Sequence, residues 1–469
     1  MPSHEQGFTT LAEEVEIEEL PVSGHLPEWL SGTLVRNGPA QFEVGRESYN
    51  HWFDGLGMLR RFTFSEGTVA YANRFLRSGD YRESTGEGRI ARRNFATNPG
   101  QSIVQRVLSV FAREPVDNAN VNIGRFADRY VAMTETPLPF EFDPHTLETL
   151  GMLDYDQDDL GGVVTTAHPH FDSVRRQSIN YLLQFSRKSR FIIYRMPEYS
   201  LRREPIASIT MSRPSYVHSL GMSENHVILA EYPFVVNPLR MLVSGKPFIE
   251  NYHWQPGRGA RFHSIHKDEG SIRTYEAEAF YALHHVNAFE RNGDIMVDIA
   301  AYPDPAIIDA LYLDRLRAGS PIPSAELRRY RLPARGDTAE FERMSPESIE
   351  LPRMNYGRHG GKPYRYAYGL SNRQDRPPEF ANQVVKVDLS DRNATAWAED
   401  GCFVGEPVFV AAPDAVAEDE GVLLTVVLDS ARGRSFMVVL DAGTLEELAR
   451  ASAPHHLPFD LHGQFFAGQ

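Results

Sequence analysis

Residues 437–451 read MVVLDAGTLEELARA, and residues 140–153 read FEFDPHTLETLGML. Each is an apolar run, an aspartate-led turn, a Thr-Leu-Glu step and the start of a second run. That is the pattern of a β-hairpin whose turn is organised by an aspartate side chain. Hairpin echoes far apart in one chain are what the blades of a β-propeller leave in sequence, at roughly 40 to 50 residues per blade. The echo is too degenerate to count blades from.

Working outward, the same punctuation recurs in NYLLQF (180–185), RFIIYRM (190–196), HVILAEY (226–232), DIMVDIA (294–300), QVVKVDL (383–389) and VLLTVVLD (422–429). Each run is short and ends in a turn, so the chain is read as mainly β. Helical periodicity is confined to two excursions between strands. One is residues 100–113, where Ile103, Val107, Val110 and Phe111 share a side; the other is 304–319, DPAIIDALYLDRLRAG. Both are expected to cap one end of the β body. With no Gly/Ser linker and no low-complexity stretch, residues 1–469 are read as a single domain.

The bulk numbers narrow the function. A chain of 469 residues with 42% hydrophobic residues can bury a large core, and a formal net charge of -15 argues against a protein that tracks nucleic-acid phosphates. Its single cysteine, Cys402, allows no internal disulfide and no thiolate metal site, so any metal must use His, Asp or Glu. The acidic start, MPSHEQGFTTLAEEVEIEEL, lacks the charge and apolar core of an export signal. No run approaches the ~20 apolar residues that span a bilayer. A cytoplasmic location is expected.

Four histidines share one local context, the start of an apolar strand: His168 in TTAHPHFD, His218 in SYVHSLGM, His284 in YALHHVNAFE and His462 in DLHGQFF. A lone histidine of this kind is ordinarily a core residue bonded to a carbonyl. In a propeller, however, residues at the axial ends of the inner strands point at one central spot, so one histidine from each of four blades would converge. An all-imidazole site suits a borderline divalent ion such as Fe(II), Cu or Zn. It would leave the ion's charge uncompensated unless carboxylates stood behind the ligands and accepted their free ring N–H. Glu135, Glu350 and Glu406 sit in strand contexts suited to that task, or to ordinary ion pairs. Periodicity alone cannot separate His284 from His285.

GTLVRNGPAQF, HWFDGLGMLRRFTF, MTETP, TAHPHFD, YVHSLGMSENHVIL, HHVNAFE, ELPRMNYGRHGGKPYRYAYGL, EPVFVAAPD and DLHGQFF, spread over residues 32–466, resemble the signature blocks of the carotenoid cleavage oxygenases. The resemblance implies an all-β, seven-bladed β-propeller with a helical and loop dome over one face, and a non-haem Fe(II) on its axis. Its ligands would be His168, His218, His284 and His462. Glu135, Glu350 and Glu406 would hold those ligands, and His170 and His285 would be neighbours only.

The resemblance further implies a dioxygenase that inserts O2 across one C=C bond of a carotenoid or apocarotenoid and releases two carbonyl products. HWFDGLGMLRRF and MTETP resemble the branch that contains the animal central-cleavage enzymes, which form retinal, and the retinoid isomerohydrolase of the eye, whose lipid-modified cysteine has no counterpart in residues 95–113 of this chain. Where stilbene-cleaving members carry a lysine before the first of the three glutamates, this chain has Thr134. Thr134 and Phe95 are expected in the substrate cleft. The alternatives are a stilbene-cleaving oxygenase and a non-catalytic carotenoid-binding propeller. A water-insoluble substrate also implies peripheral membrane contact. The candidates are Ile103, Val107, Leu108 and Phe111, flanked by Arg106 and Arg113, or Phe234, Leu239, Met241 and Leu242, flanked by Arg240 and Lys246.

Overall fold

The computed structural model describes residues 4–99, 116–156, 160–376 and 379–468. Among these residues, seven antiparallel sheets of four or more strands form the blades of a propeller. In chain order, the inner strands of blades one to five are Asn122–Phe126, His170–Asp172, Gly221–Met222, Tyr281–Arg291 and Glu350–Arg353. Blade six is built on Gly421–Asp429, which pairs inward with Cys402–Val404 and Val408–Ala411. His462–Ala467 is the inner strand of blade seven.

The ring is closed twice. His462–Ala467 pairs with Gly32–Gln41 in the register Asn37 to His462, and Val22–Gly24 adds the outermost strand to blade six beside Glu447–Ser452. Both closures join the two ends of the chain, so the strand that opens with His462 is held by residues from the first tenth of the sequence.

Burial explains why the middle strands lack strict alternation. Gly421–Asp429 and Gln177–Gln184 are buried along nearly their whole length, because each blade is packed on both faces. The outer strand Asn393–Trp397 has no buried position.

The two echoed stretches form the same turn. Asp143 Oδ1 accepts from the backbone N–H groups of His145 and Thr146, and Asp441 Oδ1 accepts from those of Gly443 and Thr444. Leu147 and Leu445 then turn through positive φ, 59° and 61°, a conformation costly for a leucine. Both side chains are buried in blade cores, which offsets that cost. The Arg291–Asp294 hairpin instead uses Asn292 and Gly293 at positive φ, the residues such a turn favours.

The pattern over 304–319 forms two short helices, Ala306–Ala310 and Leu313–Arg317, rather than one. The loop bearing His51 intrudes between them. Trp52 N–H donates to the Leu311 carbonyl, and Leu313 N–H donates to the Asn50 carbonyl, so the helical ladder is interrupted. The segment 100–113 lies outside the described residues. Among the described residues, no helix is long and apolar enough to cross a membrane.

Candidate metal centre

Each of the four histidines stands at the axial end of an inner strand. His168 and His218 precede the second and third blades, His284 lies four residues into Tyr281–Arg291, and His462 opens its strand. One ring nitrogen from each falls within 4.8 Å of the other three. His168 Nε2 is 3.1 Å from His218 Nε2, and His284 Nε2 is 3.2 Å from His462 Nε2. Donors that meet one ion at right angles with bonds of ~2.1 Å stand about 3 Å apart.

Three carboxylates fix the rings. Glu135 accepts from His218 Nδ1–H at 2.7 Å, Glu350 from His284 Nδ1–H at 2.6 Å and Glu406 from His462 Nδ1–H at 2.7 Å. With the proton on Nδ1, each Nε2 carries a bare lone pair aimed at the centre. In that tautomer the Nε2 lone pairs of His284 and His462 face each other at 3.2 Å, an arrangement that favours a cation. No carboxylate is hydrogen-bonded to His168 among the described residues.

Two of the four rings, His168 and His462, are disfavoured as cations. Burial, then the neighbouring imidazoles and Arg353, hold His168 well below the usual histidine range. Burial pushes His462 down to about 4 against the pull of Glu406. Burial would raise the Glu406 carboxyl, but Arg353, His462 and Arg36 together hold it well below the usual range.

The three glutamates are not equivalent. Glu135 also accepts from the Tyr216 hydroxyl at 2.8 Å, and Glu350 from the Tyr302 hydroxyl at 2.9 Å, both neutral donors. Glu406 is 1% exposed and accepts from two guanidinium groups, Arg36 at 2.6 Å and Arg353 at 2.8 Å. Sequence reasoning missed all four partners. Tyr216 was within reach, since it stands two residues before His218 and thus on the same side of an extended chain.

The doubled histidines are resolved by backbone irregularity. Pairing in the fourth blade runs Ala282 to Ala301, then shifts at His285 to Ile299 and again at Asn287 to Asp298. These bulges re-aim adjacent side chains, sending His284 to the axis and His285 to the third blade. His285 Nδ1–H donates to Ser219 Oγ, which itself donates to the Leu283 carbonyl. His170 Nε2–H donates to the Leu220 carbonyl at 2.7 Å, while Tyr356 donates to its Nδ1. Both rings are interblade clasps, and burial pushes them down to about 3 and about 4, respectively.

The centre divides two cavities. On one side, His218, His284 and His462 face a mostly apolar cavity lined by Phe53, Phe95 and Thr134. On the other, His168, His284 and His462 face a more polar cavity with Arg353 and His285 in its wall. Phe53 lies parallel to the His218 ring at 6.2 Å, and Phe95 packs on Phe53 at 5.5 Å. Phe95 is placed by the fully buried Asp54, which accepts from Ala96 N–H at 3.0 Å and from the Thr97 hydroxyl at 2.6 Å. Burial raises the Asp54 carboxyl to about 7 despite those donors.

Of the apolar segment 234–242, Phe234 is buried in the core and Met241 packs partly against it. Leu239, Leu242 and Val243 are exposed on the helix Pro238–Ser244, whose start is capped by Asn237. The segment is tied to the cavity wall, since Ile249 N–H donates to the Phe95 carbonyl and Asn98 donates to the Gly245 carbonyl.

Residues 8–467 match the model of the retinal pigment epithelial membrane protein family. The chain is 32% identical over 523 residues to the carotenoid-cleaving dioxygenase, mitochondrial, of Mustela putorius furo, covering 98% of this chain and 95% of that protein. It is 32% identical over 507 residues to the beta,beta-carotene 15,15'-dioxygenase of Gallus gallus, covering 95% and 94%. Among solved structures, it is similar to Synechocystis apocarotenoid oxygenase. A single-residue mutant gives a TM-score of 0.90 at 26% identity, and a cobalt-substituted form gives 0.87 at 27%, each over 99% of this chain and 98% of the other.

Proposed function

This chain belongs to the retinal pigment epithelial membrane protein family, and on that premise we propose that it is an iron(II) dioxygenase that cleaves one C=C bond of a carotenoid or apocarotenoid to give two carbonyl products. The observation that carries this reading is four converging imidazoles, three of them backed by carboxylates and facing a mostly apolar cavity. His168, His218, His284 and His462 would hold the ion through Nε2. When bound, iron(II) supplies the redox chemistry that activates O2.

The protein's own residues do the rest. Glu135, Glu350 and Glu406 keep the proton on Nδ1, which leaves each Nε2 free to bind and offsets the ion's charge. Phe53, Phe95 and the aliphatic wall bind a long polyene, exclude water and set which bond lies over the centre. Thr134 keeps the position before Glu135 uncharged, which favours a hydrocarbon or apocarotenoid over a phenolic stilbene. Central 15,15' cleavage is the preferred bond choice, on the likeness to the Gallus gallus enzyme.

The test is aerobic incubation of iron-loaded protein with β-carotene and with an apocarotenal. One O2 consumed per polyene, with retinal as the product of β-carotene, is the expected result. Stable polyene binding without O2 uptake would instead identify a carrier, and cleavage of a hydroxystilbene alone would identify the other branch.

Phe95→Ala is expected to lower kcat/KM for a carotenoid about tenfold, because the polyene loses a wall that aligns it. Metal content should be unchanged, and equal loss of iron would contradict a role confined to the cleft.

We extend the reading to peripheral membrane contact through the helix Pro238–Ser244. Its exposed Leu239, Leu242 and Val243 stand beside Arg240 and Lys246, and its segment is bonded to the loop that carries Phe95. Liposome flotation of the wild type beside Leu239→Asp/Val243→Asp checks this, with flotation expected to fall severalfold in the variant. Equal flotation of both proteins would remove this helix as the contact.

A further inference from the structure

Most of the apolar cavity wall offers only surface, but Ser348 and Ser371 offer hydroxyls. Ser348 ends the strand Glu340–Ser348 of the fourth blade, and Ser371 ends Tyr366–Ser371 of the fifth. Their Oγ atoms meet at 2.9 Å across the junction of the two blades, and both residues line the cavity. Ser371 is 3% exposed. Neither hydroxyl has a second hydrogen-bond partner among the described residues.

Two hydroxyls carry two protons, and their mutual bond uses one. The other proton and the remaining lone pairs are unspent at a stretch of wall where Ile349, Leu351, Leu370 and Phe380 also stand, with Asn372 and Glu379 farther along the lining. A polar pair so placed is costly to bury unless something in the cavity bonds to it.

Strand register puts the pair close to the metal centre. Leu370 pairs with Glu350, the carboxylate that holds His284, and Ser371 is the next residue. Ser348 precedes Glu350 by two residues. Thr134 lies beyond a strand of the first blade, across the ring of seven. The serine pair therefore serves the opposite arm of the cavity, and a polyene passing the centre would bring one end to each.

We propose that Ser348 and Ser371 form an end-group subsite that receives a carbonyl or hydroxyl oxygen borne by one end of the polyene, so that the chain selects oxygenated apocarotenoids over the symmetric hydrocarbon. The spare proton donates to the ligand oxygen, and a ligand hydroxyl can donate in return to a serine lone pair. A hydrocarbon end leaves the pair unbonded, and sites built to bond a polar group discriminate against ligands that lack it. This assignment rests on the reading of the cavity as the polyene site.

The experiment measures kcat/KM for β-apo-8'-carotenal and for β-carotene with iron-loaded wild type, Ser371→Ala and Ser348→Ala, and compares their ratio. In either variant the ratio should fall by about fivefold or more in favour of the hydrocarbon. A smaller fall, a rise, or parallel losses on both substrates would overturn the subsite. The Ser348 variant keeps the test open should the more buried Ser371 variant fold poorly.

If wild type cleaves neither polyene, the oxygenase reading fails, and absorbance titration then decides the subsite alone. Wild type should bind the apocarotenal about fivefold more tightly than a hydrocarbon of equal length, and Ser371→Ala should abolish the difference. Equal binding of the two ligands by wild type would overturn it.

Discussion

His284→Ala is expected to lower iron content by more than about 100-fold relative to wild type, while His285→Ala keeps close to one iron per chain. The two residues are adjacent, identical in type and share a strand, so composition gives no reason for the difference. Geometry does. His284 Nε2 lies 3.2 Å from His462 Nε2 and its Nδ1 proton is committed to Glu350, whereas His285 commits Nδ1–H to Ser219 and its Nε2 is buried without a partner.

His285→Ala should instead cost stability, about 1–3 kcal/mol, through a lost interblade bond and a new void. Metal analysis together with thermal melting separates these outcomes. Loss of iron in the His285 variant with retention in the His284 variant would reverse the assignment. In wild type, Fe(II) should raise the melting temperature, because an ion that binds only the folded ring stabilises it by mass action.

Glu406→Gln is expected to damage both folding and metal binding, in contrast to Glu350→Gln. Removing the charge of Glu350 leaves a neutral tyrosine hydroxyl and one backbone N–H, and should weaken metal affinity about 10- to 100-fold with little change in the metal-free melt. At Glu406 the same change leaves Arg36 and Arg353 without the carboxylate they share. Arg36 keeps Asp460 at 3.0 Å, while among the described residues Arg353 keeps only the Gly463 carbonyl. Breaking a buried charge network costs about 3–5 kcal/mol. Urea denaturation of the metal-free variants, followed by Fe(II) titration, reads the two effects separately. Equal stability of the Gln variants at 350 and 406 would show that the arginines are compensated elsewhere.

Much of this molecule is written locally. Its β-rich body follows from short apolar runs ended by turn residues, and the aspartate turns at 143 and 441 are legible because each aspartate bonds amides only two and three residues further on. Four histidines in one strand-start context, and a cysteine count that leaves imidazole and carboxylate as the only ligands, pointed to the metal site, although the blade number and the choice of His284 over His285 came from resemblance.

What needed the tertiary structure is whatever depends on distant chain segments. Two register shifts decide which doubled histidine faces the axis, because each bulge resets the alternation that assigns neighbours to opposite faces. The partner of Arg36 is 370 residues away, so nothing near either residue marks the pair. The pattern at 304–319 is helical until another loop takes its hydrogen bonds, and Phe234 is apolar in sequence whether it meets lipid or core. Turn chemistry and hydrophobic period act over a few residues and survive in the sequence. Charge pairing, strand register and the direction a side chain faces are settled by what the closed ring brings beside it.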